Sequence, residues 1–141
     1  MNKILQSMDF RLSYGDCDPL GIVYFAAYYP WMERTYNEWV FQNGITPPEQ
    51  QSKWGVNTVM RASGNDYLIP SVIFDALTCR MTAGKIGNTS FSVSYEIVKR
   101  DEPNKLMATG FMSFVMVNGD LKPTPVPSPM VALLKGAPVS D

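Results

Sequence analysis

Asp16 and Asp18 stand on either side of Cys17 in the run Tyr14-Gly-Asp-Cys-Asp-Pro-Leu-Gly-Ile-Val-Tyr-Phe25, directly ahead of an amphipathic helical stretch. A carboxylate can act as a base or as a nucleophile. The first amides of a helix are unpaired and carry about half a positive charge, so they can receive a developing anion. Gly21 would let the backbone adopt the dihedrals and the close approach such a cradle needs. The residues alone leave three readings of the acids open: Asp18 as catalyst, Asp16 as catalyst, or an Asp before Pro19 that only shapes the turn. Cys17, flanked by two acids, is expected to have a raised thiol pKa and a structural role.

The chain contains no histidine. Ser-His-Asp and Cys-His arrangements are therefore ruled out. Two cysteines, Cys17 and Cys79, do not complete a zinc tetrahedron without histidine, so no metal site is expected. They make no disulfide framework either, which fits a reduced, cytoplasmic protein. The 141 residues carry a formal net charge of −1, with no basic stripe of the kind nucleic-acid binding uses. No apolar run is long enough to span a membrane, and the N-terminus lacks a signal-peptide core.

The positioning elements follow from periodicity. Residues 8–14 alternate, with Met8, Phe10, Leu12 and Tyr14 on one face, and predict a half-buried strand. A helix is expected from about Tyr29, after a short turn, to near Gly44, because Pro30 fits only a first turn and Gly suits the C-terminal cap. Tyr28, Met32, Tyr36, Trp39 and Val40 form its apolar stripe, and Arg34 with Glu38 has ion-pair spacing. Residues 45–54, with Pro47 and Pro48, read as loop. Four strands are expected after it: Val56–Ala62, extending across Gly64 towards Ile69; Asp75–Ala83; Thr89–Lys99; and Leu106–Val117. Turns fall at 84–88, 100–104 and 118–120, so the sheet should be antiparallel. The prolines from Pro123 to Pro129 enforce an extended exit, with a helical turn at Met130–Lys135. The sum is one α+β domain over 1–141, a sheet wrapped around one long helix, with an edge strand that a two-fold dimer would cover.

The 14–25 string, followed by Tyr28 and Trp31, resembles the hallmark of the hotdog-fold acyl-CoA thioesterases and is closest to the 4-hydroxybenzoyl-CoA thioesterase branch. The resemblance implies a five-stranded antiparallel sheet around the helix and dimers or tetramers with active sites between subunits. It implies an acyl-CoA thioester substrate and no cofactor, coenzyme A being part of the substrate. It maps the catalytic acid onto Asp18 and the carbonyl-binding amide onto Phe25. Glu33 falls where that branch places an acid that reaches the acyl group from the partner subunit. Gly21, Tyr24 and Tyr29 fall around the acyl site, Tyr29 standing where that enzyme has His. Lys85, Asn88 and Ser90 fall at the turn that meets the CoA nucleotide, although the basic cluster used there is poorly matched. A thioesterase acting on acyl-carrier protein and an acyl-thioester-binding module without turnover are the competing readings. Hotdog hydratases are set aside because they use an Asp-His pair.

Overall fold

The computed structural model describes residues 3–136. Its long helix, α1 (Tyr29–Gln42), begins where the sequence places it: Pro30 sits in the first turn, and Gly44 closes the far end at φ +66°. Met32, Tyr36, Trp39 and Val40 are all buried, as is Tyr28 just before the helix. The Arg34–Glu38 ion pair is absent among the described residues. Glu38 instead accepts from the Gln42 amide at 3.0 Å, and the Arg34 guanidinium lies 4.6 Å from the centre of the Trp31 ring. A ring face three positions behind it on the chain competes for the cation at lower desolvation cost.

Five strands pair antiparallel in the order β1-β3-β4-β5-β2: β1 (Ile4–Arg11), β2 (Asn57–Tyr67), β3 (Ala76–Ile86), β4 (Ser90–Lys99) and β5 (Glu102–Val117). Leu77, Cys79 and Met81 of β3 and Phe91, Val93, Tyr95 and Ile97 of β4 turn inward, as their alternation requires. An aromatic ladder ties sheet to helix: Phe91 stacks on Phe114 at 5.2 Å, and Phe114 on Tyr36 at 4.6 Å. The other face carries Thr78, Arg80, Ser92, Ser94 and Glu96, with Arg80 and Glu96 paired at 3.0 Å. Gly64 allows β2 to run unbroken beside β5, since a Cβ there would sit 2.8 Å from the Phe111 ring.

Three boundaries differ from expectation. β1 covers 4–11, not 8–14. Its end is set by Asp16, whose carboxylate takes the Ser13 amide at 2.9 Å and hydroxyl at 3.2 Å and bends Tyr14–Asp16 into a 3₁₀ turn. Tyr14 is thereby 80% exposed rather than inward. Residues 47–54 are a helix, α2 (Pro47–Trp54), not loop. Its two prolines occupy first-turn positions where a missing N–H costs nothing. Thr46 and Glu49 form a capping box, and Gly55 ends the helix at φ +65°. The β4–β5 connection is also tighter than expected, because Glu102 already pairs with Lys99. The closing turn is α3 (Ser128–Leu134), which buries Met130 and Leu134. No helix among the described residues is long and apolar enough to cross a membrane.

Candidate active site

The 14–28 segment closes on itself around Asp18. Asp18 Oδ1 accepts from the amides of Leu20 at 2.9 Å and Ile22 at 3.2 Å. Its own amide donates to the Ile22 carbonyl at 2.8 Å, and its carbonyl accepts from Gly21 at 2.9 Å. The loop needs Gly21 in the left-handed region, at φ +77°. Asp18 therefore does hold a turn, with one oxygen. Its Oδ2 has no hydrogen-bond partner among the described residues.

The loop is stitched to residues 71–75. Val23 donates to the Ser71 carbonyl at 2.8 Å, Ile73 to the Gly21 carbonyl at 3.0 Å, and Ile22 bridges Val72. Asp75 anchors that second segment through Val72 N–H at 2.9 Å and Lys99 Nζ at 2.8 Å. Burial opposes ionisation of Asp75, but the Lys99 and Val72 bonds and the Lys99 charge outweigh it and hold the carboxyl below its usual range.

Asp18, Tyr24 and Phe25 line one cleft of about 460 Å³ together with Tyr67, Ile69 and Pro70. Most of its wall is apolar. The Phe25 amide has no acceptor among the described residues, whereas the amides of Val23, Tyr24 and Ala27 are all spent on carbonyls. Phe25 lies four residues ahead of α1, in the turn that leads to it. A macrodipole fades within about one turn. The helix as a whole therefore adds little to the field at this amide. The Phe25 carbonyl accepts from the Tyr67 hydroxyl, and Tyr67 stacks on Tyr28 at 6.1 Å. Tyr28 donates to Ser71 Oγ at 2.8 Å, and burial pushes its phenol up to about 12 even though the Ser71 bond acts the other way.

The other expected site residues lie elsewhere in the chain. Tyr29 is half-buried against the core at the start of α1. Glu33 is exposed on α1 and accepts from Asn37 Nδ2 at 2.7 Å. Neither lines the Asp18 cleft. Lys85, Asn88 and Ser90 lie at the far end of β3 from the Asp18 loop, about 30 Å along an eleven-residue strand. Asp16 has its carboxylate turned to Ser13, on the other side of Tyr24. Burial, then Asp16 and Asp18, raise the Cys17 thiol, and burial pushes Cys79 up to about 12. Tyr67, Ile69 and Pro70 are the cleft residues that sequence reasoning missed. Their only signal was an apolar continuation of β2, more than forty residues from Asp18.

A five-stranded antiparallel sheet wrapped around one long helix, with a carboxylate loop at the helix approach, is the hotdog fold of the thioesterases. The chain matches the Thioesterase-like superfamily over residues 12–134 and belongs to it. It is 26% identical over 134 residues to 4-hydroxybenzoyl-CoA thioesterase from a Pseudomonas species (strain CBS-3), covering 90% of this chain and 95% of that one. Among solved structures, 1,4-dihydroxy-2-naphthoyl-CoA thioesterase from Synechocystis superimposes with a TM-score of 0.79 at 19% identity, over 92% of this chain and 94% of that one. A 4-hydroxybenzoyl-CoA thioesterase with an aspartate-to-asparagine substitution, in complex with 4-hydroxybenzoyl-CoA, superimposes with a TM-score of 0.76 at 20% identity, over 91% and 96% of the two chains. The expectation of a thioester hydrolase is met at the level of the family.

Proposed function

We propose that this protein hydrolyses acyl-CoA thioesters in the Asp18 cleft. The observation that supports the reading is that one cleft is lined both by Asp18, which has a carboxylate oxygen without a partner among the described residues, and by Phe25, whose amide has no acceptor among them. The thioester carbonyl oxygen accepts from the Phe25 amide, which stabilises the charge that grows there as the carbon becomes tetrahedral. Asp18 Oδ2 attacks that carbon to give a mixed anhydride that water then opens, or it takes a proton from an attacking water. Either route breaks the acyl–sulfur bond, forms an acyl–oxygen bond, and ends in a carboxylic acid and the coenzyme thiol. A thiol is acidic enough to leave as thiolate, so the route works without histidine. It calls on no metal or prosthetic group.

The acyl group occupies the apolar part of the cleft, beside Tyr24, Tyr67 and Ile69. The relatives named above carry aromatic acyl-CoAs in their names, and an aromatic acyl group suits these walls. A homodimer completes the site. β2 is an eleven-residue edge strand that pairs only with β5 among the described residues, and it exposes Val59, Met60 and Tyr67. Two-fold pairing of that edge would hide it and bring a partner's α1, with Tyr29 and Glu33, towards the acyl group. Two unpaired thiols suit a reducing cytoplasm.

The test is thiol release from a panel of aromatic, short, branched and long acyl-CoAs and an acyl-carrier-protein thioester. Turnover is expected on CoA thioesters, highest with aromatic acyl groups. A panel with no turnover would leave a binding module as the better account. Turnover confined to the carrier-protein ester would move the substrate class.

A further inference from the structure

Phe25 is not anchored by its own side chain, which is 63% exposed with its ring 4.4 Å from that of Tyr24. The peptide that carries the Phe25 N–H is fixed through its carbonyl, that of Tyr24, which accepts from Ala27 at 2.9 Å. The next peptide, between Phe25 and Ala26, has neither its carbonyl nor its amide bonded to backbone among the described residues. Its one hydrogen bond among them comes from the Tyr67 hydroxyl, which donates to the Phe25 carbonyl. Tyr67 itself is well held. It is the last residue of β2 and pairs with Ala108 of β5, and the amides of Leu68 and Ile69 both donate to the Met107 carbonyl, at 2.9 and 3.0 Å. Its ring stacks on Tyr28, which is buried and tied by its hydroxyl to the buried Ser71. Burial raises the Tyr67 phenol above its ordinary range, so the hydroxyl keeps the proton that it donates.

We propose that Tyr67 is a positioning residue of the reaction: its hydroxyl fixes the Phe25–Ala26 peptide and, through it, the direction of the Phe25 N–H. The inference rests on the hydrolase reading above. The plane before Phe25 is held by Ala27 and the plane after it by Tyr67, so both backbone torsions of Phe25 are constrained from outside. A strand end is a stiffer base for this than the loop that it corrects. Without the hydroxyl, Phe25 can rock about those torsions, and a hydrogen bond weakens steeply as its angle closes. The donor has to meet the oxygen where it stands in the transition state, so the cost of misalignment falls on kcat more than on KM. A tyrosine that served only as cleft wall would act through its ring, and KM would carry the change.

The experiment compares wild type with Tyr67→Phe, which keeps the ring, its stack on Tyr28 and the apolar wall and removes only the hydroxyl. Steady-state rates on the best acyl-CoA of the panel are expected to show kcat lower by roughly ten- to a hundredfold, with KM within a few fold. In the free protein, the backbone nitrogen resonance of Ala26, whose peptide carbonyl is the acceptor, should move in Tyr67→Phe, while those of Leu20 and Ile22 in the Asp18 loop stay in place. Unchanged kcat overturns the inference, and so does a change confined to KM. An Ala26 resonance that does not move overturns it too, because the bond is then absent. Shifts that spread to Leu20 and Ile22 also overturn it, because the hydroxyl then only stiffens the whole loop. Wild type without turnover defeats the hydrolase reading, and the carbonyl stretch of a bound ketone analogue, with a methylene in place of the thioester sulfur, still decides this one. The stretch should lie lower in wild type than in Tyr67→Phe, and equal bands overturn the inference.

Discussion

Asp18→Asn is expected to lower acyl-CoA turnover by about 10² or more while leaving the fold, and KM within a few fold, unchanged. The structure makes this substitution unusually discriminating because Asp18 has two separable jobs. Oδ1 closes the loop by accepting from Leu20 and Ile22, and an asparagine carbonyl oxygen can keep both bonds. Oδ2 has no partner among the described residues, and replacing it with an amide nitrogen removes the group that attacks or accepts a proton. A purely structural Asp18 would therefore survive the change with its activity. Asp18→Ala should instead lose the loop as well, so it is the poorer test. Steady-state rates on the best ester of the panel, with circular dichroism and thermal midpoints alongside, check the prediction. Near-normal turnover in a folded Asp18→Asn protein would contradict it.

Asp75→Asn should destabilise the protein by about 1.5–3 kcal/mol near neutral pH, the usual scale for hydrogen bonds to a charged group. Asp75 is only 14% exposed and bonds Lys99 and the Val72 amide at once. Its main chain also receives Leu12, at 3.1 Å, so it joins the end of β1 to the segment that backs the Asp18 loop. The pH dependence has a definite sign. The carboxyl sits below its ordinary value of 3.8 in the folded protein. Its contribution is thus fully present above 3.8 and is lost as pH falls through the lower folded value. The gap between wild type and variant in urea midpoint, at fixed protein concentration, should be wide at pH 7 and close as the carboxyl protonates. A gap that does not change with pH would mean that the charge contributes nothing there.

Periodicity carried the parts of the fold where burial is one-sided. The α1 stripe and the alternation of β3 and β4 are legible because most of their large apolar residues fall on one face. The failures are where local chemistry overrides a pattern. Tyr14 continues the alternation of β1, yet Asp16 captures Ser13 and the strand ends three residues earlier, at Arg11. Pro47 and Pro48 look like helix breakers, but at the first turn they start one. Arg34 has the spacing for Glu38 and lies over Trp31 instead.

The site divides in the same way. Asp18, Gly21, Tyr24 and Phe25 were legible because they are contiguous, and the chemistry of the run is visible in its residue types. Tyr67 and Ile69 reach the cleft through the β2–β5 pairing and the loop that follows it, which no local pattern encodes. The opposite holds for Glu33 and Lys85. Their places in the sequence suggested one site, yet in a single chain they stand apart from Asp18, and only a second subunit can unite them.

A high-resolution structure of the Asp18→Asn protein with an intact acyl-CoA would test most directly whether the thioester sits between this carboxylate position and the Phe25 amide. The account predicts a carbonyl oxygen about 2.7–3.1 Å from Phe25 N and the residue 18 side chain against the carbonyl carbon or a water beside it. A carbonyl bound away from Phe25 N, with residue 18 committed wholly to Leu20 and Ile22, would contradict it.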